Sequence, residues 1–305
     1  MEIYDIAKTE IFPESAIALG NFDGVHMAHK CVIARCADMA KSHGIKCGVM
    51  LFKTSVKTAG ILSSIDERME QIEKTDADFV ILCEFDENFR KQSPEEFISM
   101  LKDKLNVKAV SAGYDYRFGH NASGDADTLA RLAKEHNMDV SICEEQMLDG
   151  ISVSSTKIRE LITIGDIESA NRFLGYDYLI SGTVCHGFQN GRKLGFATAN
   201  LKPEKNRILP PDGVYGGYTV LDGERYPSVI NIGTNPTFDG KERTAEGHII
   251  DFDDDIYGKK IKFEFKFFIR GEKKFPSVDE LKKQISKDRL SAKEKLNERN
   301  GKNEF

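Results

Sequence analysis

The sequence predicts a two-part protein: an α/β half built on a parallel sheet, then a small all-β barrel closed by a terminal helix. Three observations predict it. Short apolar runs at residues 16–19, 47–52, 79–83, 108–112 and 139–143 alternate with segments that carry helix-start signals, and such alternation builds a parallel sheet covered on both faces. Beyond residue 176, Gly-rich turns separate half-apolar runs; Ile261, Phe263, Phe265 and Phe267 alternate with Lys260, Lys262, Glu264 and Lys266, the period of an antiparallel strand with one wet face. A length of 305 residues accommodates two domains, each with its own core.

Taken in order, the first half shows two capping boxes, Ser64-Ile-Asp-Glu67 and Ser93-Pro-Glu-Glu96. In each, the serine and the glutamate satisfy one another's orphan amides, and Pro94 takes the first helical position, where no amide is needed. Phe97, Met100, Leu101 and Leu105 follow at helical spacing. One helix opens near Ser155, and another spans 166–173 and closes at Gly175. In the second half, residues 179–184, 214–221 and 228–232 read as strands. Ser277-Val-Asp-Glu280 is a further capping box and starts a charged terminal helix carrying Leu281, Ile285 and Leu290.

Composition narrows the function classes. A net charge of −6 disfavours a nonspecific nucleic-acid binder. No apolar run approaches the ~18 residues that cross a bilayer, and the start, MEIYDIAKTEIF, lacks a signal-peptide layout; a cytoplasmic protein with no membrane partner is expected. The six cysteines form no CxxC pair and read as reduced thiols in strand or helix interiors.

Two stretches carry chemistry. Gly20-Asn21-Phe22-Asp23-Gly24-Val-His26-Met-Ala-His29 follows the first strand and enters a helix, so glycines, two imidazoles and helix amides aim at one point suited to a polyphosphate. A zinc reading of the two histidines lacks a third ligand. The other stretch is GTVCHGFQNGRKLGFATAN, residues 182–200. Gly187, Gly191 and Gly195 uncover backbone amides, and Arg192 adds charge beside them. Thr198 and Asn200 project to one side as neutral oxygen ligands suited to Mg²⁺. The plainer alternatives are histidines that only cap a helix and a flexible hairpin with a basic tip. Neither a Walker P-loop nor a GxGxxG fingerprint occurs.

GxxxxGxxLGFxTAN, followed by GVY at 213–215, NIGTNPTF at 231–238, RTAE at 243–246 and YGK at 257–259, resembles the riboflavin kinase domain. The preceding chain resembles the adenylyltransferase half of the bacterial bifunctional riboflavin kinase/FAD synthetase family, through GNFDGVHMAH and through VSSTKIR at 153–159, which is similar to ISSTxxR. The resemblance implies a Rossmann-like nucleotidyltransferase domain over 1–175 and a six-stranded Greek-key kinase barrel over 176–305. It implies ATP as co-substrate, Mg²⁺ as cofactor, and riboflavin, FMN and FAD as substrates and products. His26, His29, Arg159, Ser154, Ser155 and Thr156 would hold phosphates. Asp115, in GYDYRFG, would contact metal or nucleotide, and Asp166 would be a metal contact or only a helix cap. Glu246 would be the general base that activates the ribityl hydroxyl.

The sequence departs from the family at three points. Lys53-Thr54-Ser55 stands where a Pro-His-Pro turn is usual, with Lys53 a candidate to replace the lost contact. Ala28 stands in place of glycine: harmless in a helix, obstructive if left-handed. Ala197 replaces the proline before Thr198. A riboflavin kinase with a weakened adenylyltransferase domain is therefore the alternative, and a non-catalytic flavin- or nucleotide-sensing protein is a third reading.

Overall fold

A computed structural model describes residues 1–53, 60–185, 198–237 and 240–300. It divides into two compact units, Met1–Lys157 and Ile158–Phe305.

In the first unit the elements run β1 (Glu2–Asp5), β2 (Ser15–Leu19), α1 (Met27–His43), β3 (Lys46–Phe52), α2 (Ile65–Glu73), β4 (Phe79–Cys83), α3 (Glu87–Lys91), α4 (Pro94–Ser99), β5 (Val107–Gly113), α5 (Ala126–Glu135), β6 (Asp139–Cys143), β7 (Met147–Leu148) and β8 (Ile151–Ser152). Six strands form one parallel sheet in the order β1-β4-β3-β2-β5-β6. Side-chain alternation splits each central strand between two cores. Ile17, Leu19 and Met50 pack with Phe97, Leu101, Leu129 and Leu132 on one face. Ala16, Ala18, Val49 and Leu51 pack with Val32, Ile33 and Cys36 of α1 and Ile72 of α2 on the other.

Both capping boxes form, at Ser64/Glu67 and at Ser93/Glu96. The helix behind the second loosens into a π-helical turn at Met100–Lys104, which keeps Leu101 and Leu105 buried. The edge strand β1 had no sequence signal, being short and half-polar.

The second unit holds β9 (Leu179–Thr183), β10 (Thr198–Leu201), β11 (Gly213–Leu221), β12 (Glu224–Thr237), β13 (Gly240–Ile249), β14 (Lys260–Gly271) and α8 (Val278–Asn300). It also includes α7 (Ile167–Leu174) and most of α6 (Ser155–Ile164). Its sheet runs β10-β13-β12-β11-β14-β9 and is antiparallel throughout. Three consecutive strands form a meander and β14 returns beside β11, which is a Greek key. The edges meet where the Cys185 amide donates to the Asn200 carbonyl at 2.9 Å. Tyr215, Ile230, Ala245, Phe263 and Phe265 fill the interior. A Cβ on Gly217 would lie 1.9 Å from the Glu264 carbonyl oxygen, so only glycine allows β11 and β14 to approach there.

On the terminal helix Leu281 and Ile285 are half-buried and Leu290 is 59% exposed, while Asp288, Ala292 and Leu296 are the buried residues. Ala292 packs against Val214 and Val229 on the outer face of the sheet. Asp288 is buried because Arg270 meets it with Nε at 3.0 Å and Nη2 at 2.8 Å, while the Gln284 amide donates at 2.8 Å. A charge recognised by three donors thus occupies a buried position of the helix. Among the cysteines, Cys36, Cys47, Cys83 and Cys143 are buried as expected, whereas Cys185 is exposed.

Candidate functional site

Strand order in the parallel sheet reverses between β2 and β5, and ligands of such sheets collect at the carboxyl ends of strands at that point. A cavity of about 840 Å³ lies there, lined by residues that include Gly20, Asn21, His26, Ala28 and His29 after β2, Gly113 to Ala122 after β5, and Ser154, Ser155 and Thr156. His26 caps α1: its Nδ1 accepts the His29 amide at 3.3 Å. That acceptor role leaves Nε2 as the N–H of the neutral ring. The two imidazoles stack at 3.6 Å with planes 13° apart.

The loop between β2 and α1 is held from several sides. Asp23, 2% exposed, accepts the amides of Leu62 at 2.9 Å and Ser63 at 3.1 Å. The Ser63 hydroxyl accepts the Gly24 amide at 2.7 Å, and the Ser155 hydroxyl donates to the Asp23 carbonyl at 2.9 Å. Left-handed backbone at Phe22 (φ 48°) and Val25 (φ 35°) is a strained arrangement that this bracing sustains. Phe22, Asp23 and Gly24 are buried and absent from the cavity lining; they shape the turn while Gly20, Asn21 and the histidines face the cavity.

Ser154 and Thr156 line the cavity, and the Ser154 hydroxyl accepts the Lys157 amide at 3.2 Å. Arg159 lies one turn along α6 from Ser155 and is 7% exposed. Asp115 is exposed on the cavity wall. Asp166 accepts the Ser169 amide at 3.1 Å and caps α7, which ends at left-handed Gly175. Ala28 is the second residue of α1, the helical case in which its methyl is favourable by ~1 kcal/mol over glycine. Lys53, the candidate to replace the missing turn, is absent from the cavity lining, and its ammonium pairs with Asp5 at 2.9 Å and Glu84 at 3.0 Å. Thr54 and Ser55 lie outside the described residues.

Sequence reasoning missed the aromatic wall of this cavity. Phe52, Phe85, Phe89, Phe97, Tyr116 and Phe118 all line it. Phe89 meets Phe52 at 5.2 Å and Phe97 at 6.0 Å, Phe97 meets Phe118 at 5.4 Å, and Tyr116 stacks on Phe118 at 5.7 Å. Burial pushes the Tyr116 phenol well above the ordinary tyrosine range and the Cys143 thiol, also on the wall, up to about 11. Arg90, Lys91 and His120 also line the cavity. A large apolar surface beside histidines and helix amides accommodates a flat aromatic ligand that bears phosphate. The clustering of Phe85 and Phe89, four residues apart on either side of the Asp86 helix cap, was the available signal. Ser63 and Arg68, whose guanidinium donates to the Asn21 carbonyl at 3.5 Å, gave none beyond the capping box they adjoin.

In the barrel, the motifs meet through strand register. Asn200 of β10 lies opposite Glu246 of β13, which lies opposite Asn231 of β12. Facing residues of an antiparallel pair project to the same side, and Ala245, Gly247 and Ile249 are buried where Glu246 is half-exposed. Glu246 therefore stands on the outer face between two amides. Thr198 is opposite His248 on that face, and Ala199 and Leu201 point inward. Thr198 and Asn200 also line a hollow of about 120 Å³ with Asp253, Asp254, Asp255 and Tyr257. Tyr215 of the GVY motif is interior; its hydroxyl donates to the Pro211 carbonyl at 2.7 Å, and burial pushes its phenol up to about 12. Gly187, Gly191, Arg192 and Gly195 lie outside the described residues, as does Ala197. Among the described residues no group of three or more His, Cys, Asp or Glu is arranged to hold a metal ion.

A parallel sheet whose switch point carries a histidine-capped helix defines a nucleotidyltransferase-type α/β domain. The second unit is a Greek-key sheet of flavokinase type, with a carboxylate on a polar outer face. The FAD synthetase family model matches residues 8–157 and the riboflavin kinase model residues 174–296. Over 281 residues and 89% of each chain, the sequence is 35% identical to the bifunctional riboflavin kinase/FMN adenylyltransferase of Listeria monocytogenes. It is 33% identical to that of Escherichia coli K12 over 91% of each chain. The chain belongs to the bifunctional riboflavin kinase/FMN adenylyltransferase family. Its fold is also similar to a crystal structure of a macrolide-efflux protein from Streptococcus pneumoniae, with TM-score 0.86, 28% identity and coverage of 96% of this chain and 99% of that one. No described helix is long and apolar enough to cross a membrane.

Proposed function

We propose that the protein phosphorylates riboflavin to FMN on the barrel and adenylylates FMN to FAD at the parallel-sheet cavity, in both cases with ATP. The observation that carries the reading is the convergence of Asn200, Asn231 and Glu246 from three strands on one face. Glu246, as general base, accepts the proton of the ribityl 5′-hydroxyl as that oxygen attacks the γ-phosphorus; ADP leaves. Thr198 and Asn200 line the same hollow and offer two neutral oxygens, donors of the kind a hard cation that keeps most of its waters accepts. Mg²⁺ held there would neutralise phosphate charge. Gly187, Gly191, Arg192 and Gly195 are assigned to the phosphates by the motif alone.

In the adenylyl transfer no covalent nucleophile from the protein is required. An FMN phosphate oxygen attacks the α-phosphorus of ATP in line, and pyrophosphate leaves. His26, His29, the α1 amides and Ser154 to Thr156 orient the triphosphate and offset its charge, with Arg159 assigned by its place in the motif. The aromatic wall takes the isoalloxazine ring. Asp115 faces the same cavity and is the candidate contact to nucleotide or metal; Asp166 is assigned to helix capping.

A second reading, kinase activity with weakened adenylyl transfer, draws on the engaged ammonium of Lys53. One reaction started from riboflavin, ATP and Mg²⁺ and resolved by chromatography tests both. FMN and FAD together support the full reading, FMN alone supports the second, and neither product refutes both.

A further inference from the structure

One row of the barrel's outer face has a place that the reaction above does not use. Two residues beyond Asn231 on β12 stands Gly233, buried although it belongs to the polar side of its strand. A Cβ built on it would lie 3.0 Å from Oε1 of Glu272 and 3.3 Å from Nδ2 of Asn231. Contacts that short need the neighbour to give way, so the missing side chain is what lets the Glu272 carboxylate settle over β12. Glu272 is the residue after the last of β14. Asn231 is the cross-strand neighbour of Glu246. A carboxylate that only accepts and an amide that donates through Nδ2 and accepts through Oδ1 thus flank the same glycine, one step along the strand from the general base.

The geometry points to a polyol subsite: Glu272 and Asn231, made possible by Gly233, hold the ribityl hydroxyls next to the one that is phosphorylated. The inference rests on the kinase reading of Glu246 and deepens it, because it states what distinguishes a sugar-alcohol chain from any other primary alcohol. The chemistry is complementary. Each hydroxyl of a vicinal diol can donate to the carboxylate while accepting from the amide, so a site of this kind leaves an alkyl chain with unpaired polar groups. Sites built to bind a hydroxyl reject the analogue that lacks it far more strongly than apolar pockets reject one extra methylene. Glu272 and Asn231 are positioning residues; bond making is left to Glu246.

The test compares riboflavin with a flavin whose side chain is 5-hydroxypentyl, which keeps the reacting hydroxyl and lacks the other three. Wild-type protein is expected to favour riboflavin in kcat/KM, with the difference in KM. Glu272→Gln should reduce that preference by about tenfold to a hundredfold, the worth of one hydrogen bond to a charged group. Gly233→Ala should reduce it similarly by displacing the carboxylate. Glu272 is exposed, so its variant is the one that keeps the fold, and circular dichroism with thermal melting screens Gly233→Ala for misfolding. A folded Glu272→Gln protein that retains the full wild-type preference overturns the subsite, as does a wild type that shows no preference. Failure of the wild type to phosphorylate riboflavin at all would instead overturn the kinase reading, so the two outcomes are separate.

Discussion

Replacing Asp23 with alanine should disable one activity and spare the other. The carboxylate is 2% exposed and accepts the amides of Leu62 and Ser63, themselves 1% and 2% exposed. Truncation leaves two buried N–H groups without an acceptor, at about 1–3 kcal/mol each, so about 2–6 kcal/mol is lost. A domain of this size holds roughly 5–15 kcal/mol in total, and each kcal/mol moves its Tm by about 2–4 °C. The melting transition of the first unit should therefore fall by roughly 5–20 °C. The loop that Asp23 holds carries Gly20, Asn21 and His26 to the cavity, so FAD formation from FMN should drop even well below that transition. FMN formation from riboflavin should continue at the wild-type rate. Differential scanning calorimetry and a chromatographic assay of the two products measure these effects. An Asp23→Ala protein that melts and makes FAD like the wild type would refute the account of the loop.

Glu246→Gln should lower FMN formation by about 10²–10⁴, the usual contribution of a positioned general base, with FAD formation from supplied FMN unchanged; steady-state rates on each substrate check this. Phe89→Ala opens the aromatic wall and should raise KM for FMN about tenfold or more, a stacking contact being worth about 1–3 kcal/mol, while riboflavin phosphorylation is unaffected. Asp288→Ala strips the buried partner from Arg270 and should cost the second unit about 3–5 kcal/mol, seen as an earlier melt. Lys53→Ala removes two solvent-screened ion pairs, and should leave the melting transition close to that of the wild type and FAD formation intact. At pH 8 iodoacetamide should modify exposed Cys185 first, with Cys83 and Cys143, whose thiols burial raises to about 12 and about 11, protected in the folded protein; peptide mass spectrometry orders the sites.

Much of the fold was legible because strong local signals agreed with the final packing. The five strands of the first sheet and the two capping boxes fall where the apolar runs and Ser-x-x-Glu spacing put them, although β6, at the sheet edge, is buried only at Cys143 and not throughout. The histidine turn and Ser155 could be read as partners only through resemblance, since 132 residues separate the Asp23 carbonyl from the hydroxyl that binds it. What escaped was non-local. Strand β13 carries Glu246 and His248 on one side and Gly247 on the other, so its alternation has little apolar contrast. The buried line of α8 was not legible, because a paired aspartate, invisible to a hydrophobic period, occupies it. The aromatic wall draws residues from β3, from the loops after β4 and β5, and from two helices, and no window of sequence contains it.

The register between β12 and β13 has a consequence for how this chain tolerates change in length. Glu246 looks outward only because Asn231 faces it; adding or deleting one residue within β13 reverses the strand's sides. The carboxylate would then take the place of Gly247, where any Cβ lies 2.3 Å from the ring of Phe263, and the cost would fall on the whole barrel as well as on its chemistry. Indels in this part of the gene should therefore survive between strands and be purged within them, and grafting this face onto another sheet would require copying the pairing before copying the glutamate.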